Sequence, residues 1–138
     1  SGRSPMIPEM QRFLLDTKIV VRWLYQPERI PLDIQDRLRR SVTAPMFSAV
    51  TPYELTLKSN IGKLGLDVAD LLERLASYGF MELPVRAVHA VEAGRLPLFH
   101  RDPFDRLLVA QARIEDCILV TTDTQLAAFD VTVHHVPR

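Results

Sequence analysis

Phe13-Leu14-Leu15-Asp16-Thr17 constrains the fold more than any other stretch of this chain. Three consecutive apolar residues run straight into an acid. A strand with one face in water alternates apolar and polar residues, whereas a strand buried on both faces reads as an unbroken apolar run. Such strands belong to the middle of a parallel sheet covered by helices on both sides. Ligands in these sheets sit beyond the carboxyl ends of the strands, and Asp16 falls at that end. Ile118-Leu119-Val120 is a second unbroken run, and it closes on Thr121-Thr122-Asp123 much as the first closes on Asp16-Thr17.

The segments between these runs alternate in period. A strand over 11–16 leads into a helix over 17–25 whose stripe is Ile19, Val20, Trp23 and Leu24, and Pro27 breaks it. Residues 33–40 read as a short helix with Ile34 and Leu38 inward and Arg37, Arg39 and Arg40 on an exposed face. A short strand over 46–49 precedes a helix to about residue 60, with Thr51 as N-cap, Pro52 at the first position and Gly62 as the stop. Val68, Leu71, Leu72, Leu75 and Ala76 mark the clearest helix, over 67–78, which Gly79 ends. A strand over 80–83 follows, then a helix that Pro84 opens, carrying Val85, Val88 and Val91 and closed by Gly94. After a loop over 95–101, Asp102-Pro103-Phe104-Asp105 starts a helix that runs to about residue 115. The strand over 118–120, a short helix over 124–129 and a strand over 131–133 complete the chain. Helices alternating with short apolar strands argue for an α/β fold with a mostly parallel central sheet covered on both faces.

The 138 residues, 47% of them apolar, suffice for one domain around one core. Residues 1–9 show neither period and read as a tag or disordered start, which leaves 10–138 as a single domain. No apolar run approaches the roughly 20 residues of a membrane span. The formal net charge is +0, so a nucleic-acid ligand needs a local basic patch rather than bulk attraction. The single cysteine, Cys117, excludes an internal disulfide and fits a reducing compartment.

Asp16 and Asp123 follow the two most strand-like runs, while Glu54 and Asp105 sit in the first turns of helices. In a parallel α/β layout, strand carboxyl ends and the starts of the following helices share one edge. All four acids can therefore converge. Structural readings stand beside this one. Glu54 can return a capping box, Asp105 can offset a helix N-terminus, and Asp123 can cap the short helix, with Thr122 and Gln125 forming a box instead. Asp102 can be an N-cap, or a ligand in place of Asp105. The set of four weighs differently from its members. Two carboxylates about 5 Å apart repel by roughly 3 kcal/mol at an effective dielectric near 20. A group of four needs a cation or protons. A hard divalent ion prefers oxygen ligands, can activate water and can offset charge on a phosphoryl oxygen.

The stretches Phe13 to Thr17, Ser48-Ala49 leading to Glu54, His100-Arg101-Asp102-Pro103-Phe104-Asp105-Arg106-Leu107-Leu108-Val109-Ala110-Gln111-Ala112, and Leu119-Val120-Thr121-Thr122-Asp123 resemble PIN-domain proteins. Their order and spacing are most similar to VapC-type toxins of type II toxin–antitoxin pairs, and residues 102–112 are the most specific part. The resemblance implies an α/β/α sandwich and a Mg²⁺- or Mn²⁺-dependent endoribonuclease. It implies that Asp16, Glu54, Asp105 and Asp123 hold the metal, with the hydroxyls of Thr17 and Thr121 orienting the acids or the water. It further implies a cytoplasmic homodimer inhibited by a cognate VapB-type antitoxin. Position 18 departs from the pattern: relatives often carry His or Asn where this chain has Lys18. That cation can compete with the metal at Asp16, point away, or meet a phosphate.

RNA binding requires cations and stacking surfaces around the acids. Lys18, Lys58, Arg101 and Arg106 are the nearest cations in sequence, and Tyr53 and Phe104 the nearest aromatics, with Phe104 also a core candidate. Trp23 and Tyr25 are candidates for a dimer contact or for core. His89, His100, His134 and His135 form no zinc pattern with Cys117. Aspartyl-phosphate chemistry of the haloacid-dehalogenase type needs a second Asp two residues after Asp16, where Lys18 stands, and no P-loop pattern occurs. The remaining alternative is a degenerate PIN-like domain that binds a partner without catalysis.

Overall fold

The computed structural model describes residues 10–62 and 65–138, so the expected loose start at 1–9 lies outside the described residues. Five strands form one sheet in the order β3-β2-β1-β4-β5. They are β1 Phe13–Leu15, β2 Met46–Ser48, β3 Met81–Leu83, β4 Ile118–Thr121 and β5 Val133–His135, and every pairing is parallel. Six α-helices connect them: α1 Thr17–Tyr25, α2 Leu32–Arg39, α3 Val50–Asn60, α4 Val68–Ser77, α5 Ala87–Arg95 and α6 Pro103–Ile114. Two 3₁₀ segments, Pro27–Arg29 and Thr124–Phe129, complete the described elements. The result is the α/β/α sandwich that the two apolar runs required.

The continuous runs are apolar because alternate side chains enter two different cores. Phe13 and Leu15 point to one face, where Ile19 and Val20 of α1, Ile34 and Leu38 of α2, and Leu71 and Leu75 of α4 meet them. Leu14 points to the other, against Leu108 and Val109 of α6 and Leu126 and Phe129 of the 3₁₀ helix. Ile118 and Val120 share the first core and Leu119 the second. β1 is central and wholly buried, whereas the edge strand β3 is buried only at Leu83.

The order of the strands places a switch point beside β1. The chain moves outward from β1 through β2 to β3, then returns to the other side of β1 with β4. Phe13, Leu14 and Leu15 pair with Ile118, Leu119 and Val120, and the Asp16 amide extends the ladder to the Val120 carbonyl at 3.0 Å. At a switch point the connections leave in opposite directions and open a crevice at the carboxyl ends.

Three element starts differ from the sequence reading. Helix α3 begins at Val50, so Thr51 lies inside it rather than at its N-cap, and the Val50 amide is taken by the Ser48 hydroxyl at 3.0 Å. Thr51 is buried and its hydroxyl meets that of Thr17 at 3.1 Å. Helix α5 begins at Ala87 rather than Pro84, because the buried His89 ring takes the Arg86 amide at 2.9 Å and so sets the start later. Val85, Val88 and Val91 are consequently exposed, and Gly94 lies within the helix. The last strand is β5 at 133–135, two residues beyond the expected one, where its register with β4 is set by Leu119 opposite Val133.

Arg106 governs the loop that precedes α6. Its Nη1 donates to the carbonyls of Pro97 and His100, both at 2.8 Å, and its Nη2 to those of Ala93 at 2.7 Å and Leu96 at 2.6 Å. Arg106 is a candidate RNA contact by its place in sequence, with solvated surface the stronger expectation; in the fold it is neither, since a buried guanidinium with four carbonyl partners is a structural tie. Trp23 and Tyr25 are likewise engaged within the fold, Trp23 edge-on to Phe80 and Tyr25 donating to Asp70 at 2.9 Å. Arg106→Met should lower stability by about 3 kcal/mol or more, because charge-assisted hydrogen bonds contribute about 1.5–3 kcal/mol each. Urea unfolding checks this, and a loss below about 1 kcal/mol would contradict the role of the tie.

Candidate active site

The carboxyl end of β1 and the N-terminus of α1 meet at Asp16. Its Oδ1 accepts from the Ile19 amide at 2.9 Å, so the acid caps α1. Its Oδ2 accepts from the Thr121 hydroxyl at the end of β4. That hydroxyl accepts in turn from the Asp123 amide at 3.0 Å, which leaves its proton for Asp16. Asp16 is thus fixed at both oxygens, by its own helix and by the neighbouring strand.

Asp16, Glu54, Asp105 and Asp123 line one cavity of about 530 Å³, together with Asp102. Burial pushes the Asp16 carboxyl up to about 6; the Thr121 and Ile19 hydrogen bonds oppose this, and the charges of Asp105 and Glu54 reinforce it. Asp105 is also raised, first by burial, against the His100 hydrogen bond and with the charges of Asp102 and Glu54 adding to the rise. Asp16, Glu54 and Asp105, from three separate elements, therefore feel one another directly.

The local roles of the acids resolve the readings left open above. Glu54 closes no capping box, since α3 has no side-chain cap; it pairs instead with Lys58 at 2.8 Å. Asp102 is the N-cap of α6, with Oδ1 accepting from the amides of Phe104 at 2.8 Å and Asp105 at 3.1 Å. Asp123 caps the 124–129 segment through the Gln125 amide at 2.9 Å and still lines the cavity. Asp105 makes no capping hydrogen bond, but it stands in the first turn of α6, where its charge can offset the helix N-terminus. Thr121 touches an acid, whereas Thr17 lines the cavity and bonds Thr51, tying α1 to α3. Lys18 is exposed on the cavity wall. Tyr53 is exposed and stands edge-on to the half-buried Phe104 at 5.6 Å.

His100 is the site residue that the sequence did not single out. Its Nε2 donates to Asp105 Oδ2 at 2.9 Å and its ring stands edge-on to Phe129. Burial lowers its pKa, but the Asp105 hydrogen bond and charge, with Gln125 and Asp123 adding, bring the net shift above the usual histidine value. His100, Asp105 and Asp123 each place a ligand-type atom within 4.8 Å of the others. That tighter group does not include Asp16 or Glu54. The signal for His100 lay in its place at the head of the stretch that resembles the PIN family.

The carboxylates that line the cavity, with Asp16 and Asp105 driven toward protonation, suit a hard divalent cation, and the His100 nitrogen beside Asp105 and Asp123 adds a softer donor to that group. The Lys58 ammonium is the competing charge at Glu54; it is 44% exposed, whereas the Glu54 side chain is only 9% exposed.

The PIN domain family model matches residues 13–131. The chain superposes on VapBC2 from Rickettsia felis, bound to a fragment of promoter DNA, with a TM-score of 0.70 and 15% identity, over 91% of this chain and 98% of that one. DNA-bound VapBC from Salmonella typhimurium gives 0.70 and 16% over the same shares, 91% and 98%. A toxin–antitoxin complex from Klebsiella pneumoniae gives 0.61 and 17%, over 88% and 94%. At these identities the likenesses speak to the fold alone. No curated protein matches the sequence significantly.

The Asp16 shift carries a stability consequence. Its pKa rises from 3.8 to about 6 on folding, so the folded state holds the proton more tightly. That contribution is fully present below pH 3.8 and is lost as pH rises through about 6. A shift of about two units corresponds to about 3 kcal/mol. Asp16→Asn keeps the acceptor for Ile19 and should stabilise the metal-free protein at pH 7.5 by about 1–3 kcal/mol, with the gain vanishing near pH 4. Thermal melts in EDTA across pH check this, and a variant less stable than wild type at pH 7.5 would contradict it.

Proposed function

The chain belongs to the PIN-domain family, and we propose that it is the toxin of a type II toxin–antitoxin pair, an endoribonuclease that uses Mg²⁺ or Mn²⁺. The observation that carries the reading is the convergence of Asp16, Glu54 and Asp105 on one cavity, where the Glu54 charge raises the proton affinity of Asp16 and Asp105, and the Asp105 charge that of Asp16. Topology alone brings the capping acids Asp16, Asp102 and Asp123 to this edge, but Glu54 and Asp105 make no capping hydrogen bond, so capping does not account for their place in the same pit. The relatives of similar fold support a cognate VapB-type antitoxin as partner, since they are VapBC proteins and a toxin–antitoxin complex. RNA as substrate, a homodimer and a cytoplasmic location belong to the same reading. Among the described residues, no helix is long and apolar enough to cross a membrane.

Asp16, Glu54, Asp105 and Asp123 would hold the ion. When bound, the ion supplies Lewis-acid activation of water and offsets charge on a phosphoryl oxygen. Thr121 and the Ile19 amide hold Asp16 in one orientation, so little freedom is lost when it binds a ligand. His100 occupies Oδ2 of Asp105 and leaves Oδ1 for another partner. Tyr53, next in sequence to Glu54 and edge-on to Phe104, offers an exposed ring on which an unpaired base can stack.

Cleavage of a mixed-sequence single-stranded RNA, in Mg²⁺ or Mn²⁺ against EDTA, tests the proposal. Asp16→Asn and Asp105→Asn should each reduce the metal-dependent rate by about a hundredfold or more, the order found when one preorganised electrostatic partner is removed. Cleavage that persists in both variants, or in EDTA, would overturn it.

A further inference from the structure

The cavity is lined by basic side chains as well as acids. Its wall includes Arg22, Arg29 and Arg138. Arg22 lies on α1 and is only 2% exposed. Its Nη1 donates to the Pro137 carbonyl at 2.8 Å and, at the long distance of 3.5 Å, to the Arg29 carbonyl. Its Nε and Nη2 are sealed from solvent and have no partner among the described residues.

A guanidinium cannot shed its charge at any ordinary pH and carries five donors. Buried charges are normally paired, because an unmet donor in a dry site loses its hydration and gains nothing. The same chain shows the ordinary solution at Arg106, where both terminal nitrogens are filled by carbonyls. At Arg22 the unfilled atoms are Nε and Nη2, the edge that presents two parallel N–H groups and fits a carboxylate or phosphate in bidentate fashion. Burial lowers the Arg22 pKa and so does the nearby Arg29 charge, while Asp16 opposes both. That places Arg22 within electrostatic reach of Asp16 and of a second cation.

We propose that Arg22, whose guanidinium turns from its sealed position into the cavity it lines, forms with Arg29 a phosphate-binding subsite that seats an RNA backbone phosphate neighbouring the one at the acids. This rests on the nuclease reading and deepens it. A strand of RNA brings a negative charge at every nucleotide, so one phosphate at the acid-bound ion and another at the guanidinium occupy one cavity together. A single peptide carboxylate would satisfy Arg22 but leave the acids unexplained.

The test is binding of a fluorescein-labelled single-stranded RNA, read by anisotropy in Ca²⁺ buffer between 50 and 200 mM salt (about the range where counterion release is measured), for wild type, Arg22→Met and Arg22→Lys. Arg22→Met should weaken binding about tenfold and reduce the salt slope by about 0.7, the value for one phosphate contact on a single strand. Its melting temperature should stay level or rise, since a buried unpaired charge is gone. Arg22→Lys should recover part of the affinity, and inorganic phosphate should compete less well against the Met variant than against wild type. Arg22→Met binding RNA within twofold of wild type and with the same slope overturns the proposal. So does a Met variant whose melting temperature falls along with its binding, which marks Arg22 as a structural tie. Competition by an acidic peptide in place of RNA also overturns it, in favour of a protein ligand. Mn²⁺-dependent cleavage by the same wild-type preparation separates the two ideas. Arg22-dependent binding without cleavage removes the nuclease reading and keeps the subsite, whereas cleavage with Arg22-indifferent binding does the reverse.

Discussion

The pairing of β1 with β4 is the constraint on which the rest depends. It joins residues 13–15 to residues 118–120, across most of the chain. Without it Asp16 and Thr121 would not meet, and the crevice between the two connection directions would not open. Everything the cavity offers follows from this ladder. Asp16 ends the first strand, Thr121 ends the second, and the hydroxyl of one reaches the carboxylate of the other. The α3 acid arrives because Thr17 and Thr51 tie its helix to α1, and the α6 acid because Asp102 caps that helix at a fixed residue.

The electrostatics of the cavity run against stability. Burial and like charge raise the proton affinity of Asp16 and Asp105, and the Arg22 guanidinium on the same cavity has Nε and Nη2 without a partner among the described residues. Folds accumulate such costs at functional sites and offset them elsewhere. Here the offset is visible in two dry cores and in Arg106, whose four carbonyl contacts hold the loop that delivers His100. In the proposed reading the acids take a cation and Arg22 an anion.

Much of this was legible in the sequence, for identifiable reasons. The two apolar runs announced a doubly covered parallel sheet because a strand with two buried faces cannot alternate. Asp16, Asp105 and Asp123 were legible because each follows a strong strand or a Pro-marked helix start. Glu54 was found through a capping pattern that the fold does not use: Ser48 takes the first free amide, and Thr51 turns inward instead. The start of α5 was hidden because it depends on the buried His89, held at its other nitrogen by Glu115 at 2.8 Å. Contacts between distant segments leave no period or motif. His100 and Arg22 were missed for the same reason, since their roles are set by what surrounds them, not by spacing. Arg106 was assigned outward because arginines usually face water, and only the loop wrapped around it shows otherwise.

The central claim is that one divalent ion binds among Asp16, Glu54, Asp105 and Asp123. Anomalous scattering from crystals soaked in Mn²⁺ locates such an ion without reference to activity. The account predicts a strong peak within coordination distance of Asp16 and Asp105 oxygens, with Glu54 and Asp123 in contact directly or through water. A peak confined to other faces of the protein, or none at millimolar Mn²⁺, would contradict it.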